Sequence, residues 1–287
     1  MGIAPLRILA ALSIVSLLAG CASPVARIEA QAERAGFERS VIKGTAYRHV
    51  VFDNGIHDRQ RPLAVYLEGD GTPYHARYAI AADPTSRRPL MLELMGSETG
   101  PAVYVGRPCY LGLAQDARCT ATDWTVGRFG PEIVASLVAV IDRLAEERGD
   151  VRVELFGHSG GGALAVLIAR QLQRVEGVIT LAGNLDPQGW TRWHRYAPLV
   201  DSLDPLDGGP LPARIRQLHA AGADDRNVPP AMIEAAARRL GAPGALILPG
   251  VEHNAGWRDH WPTLRAMGDD TAGPQRNSYR TPIVNSP

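Results

Sequence analysis

The most constraining stretch of the chain is Val153-Glu154-Leu155-Phe156-Gly157-His158-Ser159-Gly160-Gly161-Gly162-Ala163. It joins an apolar run of strand length to the start of a helical pattern through a single glycine-flanked serine. Turning from strand to helix within so few residues forces Ser159 into a strained backbone geometry. That geometry crowds the side chains two places before and two places after it, and Gly157 and Gly161 remove both. The hydroxyl of Ser159 is thereby lifted to the end of a strand, with the first amides of the helix beside it. The Gly160 N–H then points to where negative charge would gather on a reacting carbonyl.

The rest of the chain fits a sheet around that strand. Short apolar runs at 63–67, 102–105, 151–156, 177–181, 215–221 and 245–248 alternate with helical patterns at 131–147, 161–172, 230–240 and 257–267. The helix at 131–147 carries Ile133, Leu137, Val138, Ile141 and Leu144 on its inward face. Apolar strands alternating with helices predict an α/β fold, a mostly parallel sheet with helices on both faces. Sites in such sheets lie at the carboxyl ends of the strands. An antiparallel strand is expected at 47–52, and the folded domain at 45–268. Residues 21–44 read as a linker with a short helix bearing Val25, Ile28, Ala32 and Ala35. Residues 186–212, rich in Trp, Pro and Asp, read as an irregular cap-like excursion, and 269–287 as a polar, disordered tail. The chain has 287 residues, enough for one such domain to be stable without a metal. Thirty basic and thirty acidic residues leave no net charge, so nothing electrostatic argues for nucleic acid.

At the N-terminus Arg7 precedes an apolar run from Ile8 to Leu18, shorter than the roughly 20 residues a membrane-spanning helix needs. It reads as a signal peptide over residues 1–20. Leu18-Ala19-Gly20-Cys21 resembles the lipobox of bacterial lipoproteins, which implies acylation of Cys21 and a periplasm-facing membrane anchor. Ala22 after the cysteine favours the outer membrane by the same analogy. Cys109 and Cys119 then remain as an even pair in an oxidising compartment, and a disulfide between them is expected. Closing so short a loop would stabilise by roughly 2–3 kcal/mol. Their spacing does not suggest zinc.

A serine hydroxyl needs a base, and the base needs an acid to hold it. Of the downstream histidines, His219 lies within an expected strand, His194 in the cap region and His260 in the last helix. His253 follows the end of the final strand in a loop before a helix, where a base can reach Ser159. Serine motif, context and histidine loop together resemble the α/β-hydrolase superfamily, over about residues 45–267. In that superfamily the order is serine, acid, histidine. The stretch Gly222-Ala223-Asp224-Asp225-Arg226-Asn227-Val228-Pro229 is similar to its G-x-x-D-x-x-V-P pattern, which selects Asp225 over Asp224 as the acid. Asp186, one strand earlier, remains the rival. The resemblance also implies a second oxyanion donor from the turn Glu68-Gly69-Asp70-Gly71, namely the Asp70 N–H. The familiar His-Gly form is absent there. An acidic side chain would oppose an oxyanion, so Asp70 must turn away or be neutralised, with Arg107 the candidate. Glu68-Gly69-Asp70-Gly71, Arg107-Pro108-Cys109 and residues 205–207 resemble bacterial lipoproteins of this superfamily.

The resemblance implies a serine hydrolase working through an acyl-enzyme on Ser159, with a small acyl ester or an envelope lipid as substrate; amides and thioesters stay open. The rival readings are a non-catalytic envelope lipoprotein that uses the fold for binding, and a peptidase or acyltransferase on envelope material. No cofactor is implied: the histidines do not cluster as metal ligands, and Gly160-Gly161-Gly162 lacks the Gly-Lys-Ser/Thr of a phosphate loop. Trp124, Trp190 and Trp193 are candidates for an apolar binding wall, with ordinary packing as the alternative.

Overall fold

The computed structural model describes residues 23–75 and 78–270. The expected signal segment 1–20, the expected lipidation at Cys21 and the expected tail from 271 onward lie outside the described residues. In chain order the elements are α1 (Pro24–Arg34), β1 (Glu38–Lys43), β2 (Arg48–Asp53), β3 (Leu63–Leu67), β4 (Tyr74–His75), β5 (Ala79–Ile80), α2 (Leu90–Met95) and β6 (Ala102–Val105). A 3-10 turn (Ala121–Trp124) precedes α3 (Pro131–Glu146), β7 (Val153–His158), α4 (Gly160–Gln171) and β8 (Val175–Leu181). Then come α5 (Pro187–His194), β9 (Arg216–Gly222), α6 (Pro230–Arg239), β10 (Ala245–Leu248) and α7 (Trp257–Asp270).

Eight strands form one sheet in the order β1-β2-β6-β3-β7-β8-β9-β10. All neighbours from β6 through β10 run parallel, while β2 is antiparallel to both β1 and β6. Every residue of β3, β6 and β7 is buried. Because successive strand residues point to opposite faces, both faces must be covered, and helices cover them. On one face Trp261 of α7 packs edge-on against Tyr66 of β3 and Phe156 of β7, which stack on each other. The α3 stripe is buried at Ile133, Leu137, Ile141 and Leu144, joined by Val134 and Val140; Val138 is only partly covered.

Three local readings need correction. Residues 38–43, assigned to a linker, are β1, paired residue by residue with β2. The excursion at 186–212 is not wholly irregular, since it opens with α5. Asp186 caps that helix by accepting the Gly189 N–H at 2.7 Å, and Pro187 occupies its first turn, where no amide partner is lost. After α5 the chain is pinned by hydrogen bonds to its backbone, Leu203 N–H to Phe129 O at 3.0 Å and Arg170 Nη2–H to Pro205 O at 2.9 Å. Third, α7 continues to Asp270, past the expected boundary at 268. Cys109 and Cys119 form a disulfide. No helix among the described residues is long and apolar enough to cross a membrane.

Candidate active site

Ser159 stands between β7 and α4 at the carboxyl end of the central strand, with φ 52° and ψ −121°. Few non-glycine residues adopt a positive φ, so other bonds must hold it. Its N–H donates to Leu181 O at 3.0 Å, and its carbonyl accepts from Gly162 N–H and Asn184 N–H, both at 2.9 Å. The flanking glycines are demanded by contact. A Cβ on Gly157 would stand 2.3 Å from Gly161 O, and one on Gly161 would stand 2.2 Å from Leu67 O. Both obstacles are backbone atoms and cannot swing aside.

His253, in the loop between β10 and α7, reaches Ser159 Oγ with Nε2 at 3.1 Å. Its Nδ1 meets Asp225 Oδ2 at 2.8 Å. Asp225 is fixed in turn, since its Oδ1 accepts the N–H groups of Asn227 at 2.8 Å and Val228 at 2.9 Å. The His253 carbonyl accepts from His158 Nε2–H at 2.8 Å and Trp257 Nε1–H at 3.0 Å, which anchors the loop from below. Burial pushes the His253 imidazole below its usual pKa, and the Asp225 hydrogen bond only partly opposes this. The ring is therefore neutral near pH 7, as a proton acceptor must be.

The competing candidates are placed elsewhere. Asp224 is exposed, and Asp186 spends its carboxylate on the α5 cap. His219 is buried against Thr180, His194 bonds to Asn227 O at 2.7 Å, and His260 rides on α7.

Opposite the histidine, the turn after β3 lies against the serine: a Cβ on Gly69 would come within 3.2 Å of Ser159 Cβ. Asp70 lies over Gly160, where an added Cβ would strike Asp70 Oδ1 at 2.0 Å. Arg107 bonds Asp70 Oδ1 at 2.5 Å, and Arg128 bonds Oδ2 at 2.8 Å. The Asp70 carbonyl accepts from Tyr110 OH at 2.9 Å. Burial pushes the Asp70 carboxyl up, but Arg128 and Arg107 together outweigh it and hold it below the ordinary carboxylate pKa. Among the described residues no hydrogen bond engages the N–H of Gly160 or of Asp70.

These groups open into a cleft of about 910 Å³, walled by Trp190, Tyr196 and Leu199 on the α5 side and by Tyr74 and Tyr78 of the β4–β5 hairpin. Of the three tryptophans considered as a binding wall, only Trp190 lines the cleft, tied by its Nε1–H to Asn227 O at 2.9 Å. Trp124 is buried in the 3-10 turn and Trp193 is exposed, so neither joins the wall. Sequence reasoning missed Arg128, Asn227 and His158 as parts of the site. His158, immediately before Ser159, was the one that local spacing could have flagged. Among the described residues no three His, Cys, Asp or Glu side chains gather as metal ligands.

No protein-family model matches the chain, and no curated protein sequence matches it. Solved structures do. An Agrobacterium tumefaciens protein of unknown function, assigned to the α/β hydrolases, aligns over 82% of this chain and 94% of its own, with 15% identity and a TM-score of 0.52. An esterase of Pyrococcus furiosus aligns over 83% of this chain and 92% of its own, with 14% identity and a TM-score of 0.53. A bacterial membrane phospholipase A aligns over 92% of this chain and 99% of its own, with 14% identity and a TM-score of 0.53. The chain has the α/β-hydrolase fold.

Proposed function

We propose that the protein is a serine hydrolase that cleaves carboxylic esters through an acyl-enzyme on Ser159. The observation that carries this is the continuous line from Asp225 through His253 to Ser159, at 2.8 and 3.1 Å, ending at the floor of an open cleft. Ser159 Oγ attacks the ester carbonyl while its proton passes to His253 Nε2. Asp225 holds the Nδ1–H tautomer and stabilises the imidazolium. The carbonyl oxygen becomes an oxyanion held by the N–H groups of Gly160 and Asp70. Donors of this kind are worth about 2.7–4 kcal/mol each in other serine hydrolases. The tetrahedral adduct collapses, and the alcohol leaves with the proton from His253. Water, activated by the same nitrogen, then releases the acid and restores Ser159.

The substrate reading rests on the cleft, whose aromatic wall suits an acyl group. The esterase and phospholipase with this fold lend it support by likeness of fold. The place of action belongs to the same proposal: the bacterial envelope, with Cys21 acylated. The lipobox-like Leu18–Cys21 segment and the Cys109–Cys119 disulfide support it.

The test is covalent labelling with a fluorophosphonate, comparing wild type with Ser159→Ala. Labelling of the wild type alone is the expected outcome. A folded wild type that takes no label would move the binding-module reading ahead. For the anchor, Cys21→Ala should shift the protein from the membrane to the soluble fraction, and an unchanged distribution would remove it.

A further inference from the structure

We infer that the cleft is built for an ester that also carries an anionic group, a carboxylate or a phosphate, which Arg128 binds. This rests on the reading of Ser159 as the nucleophile. Arg128 lines the cleft, yet its side chain is only 7% exposed. The N–H groups of such a guanidinium that the protein does not bond face the cleft, to meet solvent or a ligand. Nε donates to Thr125 O at 2.6 Å and Nη1 to Asp70 Oδ2 at 2.8 Å. Among the described residues nothing pairs with Nη2, whose two N–H groups remain for whatever enters the cleft.

The charges agree. Asp70 is one carboxylate shared by two guanidiniums, so the Arg107–Asp70–Arg128 cluster keeps one positive charge beside the serine. Arg88 and Arg195 also line the cleft, and among the described residues the only other carboxylate in its wall is Glu68. Glu68 is itself committed, accepting the Met91 N–H at 3.0 Å and facing His158. Glu68 offsets one of these charges, and the described wall still keeps a positive excess that an anionic substrate would meet.

A second unpaired group lies beside the serine. Asn184 is 2% exposed, and its Oδ1 is buried without a partner among the described residues. Its own N–H is bonded to Ser159 O, so the amide stands one step from the nucleophile. A buried amide oxygen left unpaired is costly to the fold, which marks the site as held for a purpose other than packing. A plain hydrocarbon acyl chain satisfies neither Asn184 nor Arg128.

The experiment uses two matched ester pairs. In one the anion is on the acyl side, mono-4-nitrophenyl glutarate against 4-nitrophenyl hexanoate. In the other it is on the alcohol side, monobutyrylglycerol 3-phosphate against monobutyrylglycerol. Hydrolysis of each is measured with wild type and Arg128→Gln, and binding of each with Ser159→Ala and the double variant. In at least one pair kcat/KM should favour the anion by about tenfold or more, the scale of one charged hydrogen bond. Arg128→Gln should bring that ratio close to unity. Loosening of Asp70 in this variant slows both members of a pair alike, so the ratio isolates anion recognition. The pair that shows the preference tells which side of the ester carries the charge. Neutral esters handled as well as anionic ones in both pairs would overturn the inference, and so would a preference that survives Arg128→Gln. If no ester is cleaved and no fluorophosphonate is taken up, the nucleophile reading fails. Binding to Ser159→Ala still decides the anion site: tighter anion binding that is lost in the double variant upholds it, and equal binding removes it.

Discussion

The side-chain amide of Asn227 lies 2.9 Å from His253 Nε2, the same ring nitrogen that Ser159 Oγ meets at 3.1 Å. With Nδ1–H directed at the Asp225 carboxylate, Nε2 holds one lone pair, and both the amide and the hydroxyl donate to it. The resting base is therefore shared, and each donor favours the neutral imidazole.

This sharing predicts the pH response. Activity requires neutral His253, so kcat/KM should rise with pH through a limb below the usual histidine pKa of about 6.5. Asn227→Ala withdraws one donor and should move that limb upward by up to about one pH unit, the equivalent of one modest hydrogen bond. The backbone bonds of Asn227 to Asp225, Trp190 and His194 do not involve its side chain and should persist. A pH–rate profile that coincides with wild type would show that the amide does not share the base.

The two acids can be separated by paired variants. Asp225→Asn should lower kcat by about 10⁴-fold, because the amide no longer selects the Nδ1–H tautomer. Asp186→Asn should leave kcat within a few-fold and change stability little, since asparagine also caps helices; Asp186→Ala should cost about 1 kcal/mol. Steady-state kinetics and thermal melts on the three variants check this. A large kcat loss from Asp186→Asn would reverse the assignment.

The residues that the structure brings together as the sequence expected are those whose position follows from local chain geometry. Ser159 announces itself because a strand, a tight turn and a helix must meet within a few residues. His253 stands out because it alone follows the last strand and precedes a helix. Asp225 and Asp186 both follow strand ends, so spacing left them open and only the resemblance chose between them. Arg128 could not be found this way. It meets Asp70 across 58 positions, and no periodicity encodes a contact made by tertiary packing. Strand β1 escaped for a different reason: Glu38, Arg39 and Lys43 deny it alternation, and as an edge strand it stays largely exposed, held by its ladder with β2. Helix α5 was hidden by Pro187 and Gly189, loop signals that here sit in its first turn.

The glycines around Ser159 should differ sharply from glycines elsewhere. Gly161→Ala forces a Cβ against Leu67 O at 2.2 Å, so the strand and helix must part. Several kcal/mol of destabilisation and loss of fluorophosphonate labelling are expected, as for other overpacked or strained sites. Gly209→Ala is the control. It has a positive φ of 66° and open space around it, so it should cost only about 1–2 kcal/mol and leave labelling intact. Equal melting temperatures for the two variants would contradict this.

Two histidines outside the site should set the acid stability. His49 contacts Gly106 O and Ser136 Oγ at 2.9 and 2.8 Å, and His219 contacts Thr180 Oγ1 and Gln217 Oε1 at 2.9 and 3.2 Å. Burial pushes each down to a pKa of about 4. The unfolded chain, with histidine pKa values near 6.5, then binds more protons than the folded one at intermediate pH. Their stabilisation is complete above about pH 6.5 and falls as the pH drops toward 4. At pH 5 the loss should be about 2 kcal/mol for each histidine. Urea unfolding of wild type at pH 7.5 and pH 5 measures their sum together with that of His253, whose pKa burial also lowers, and His49→Gln and His219→Gln should each flatten the difference by about 2 kcal/mol. Variants as acid-sensitive as wild type would mean that these two side chains are not the groups that take up the protons.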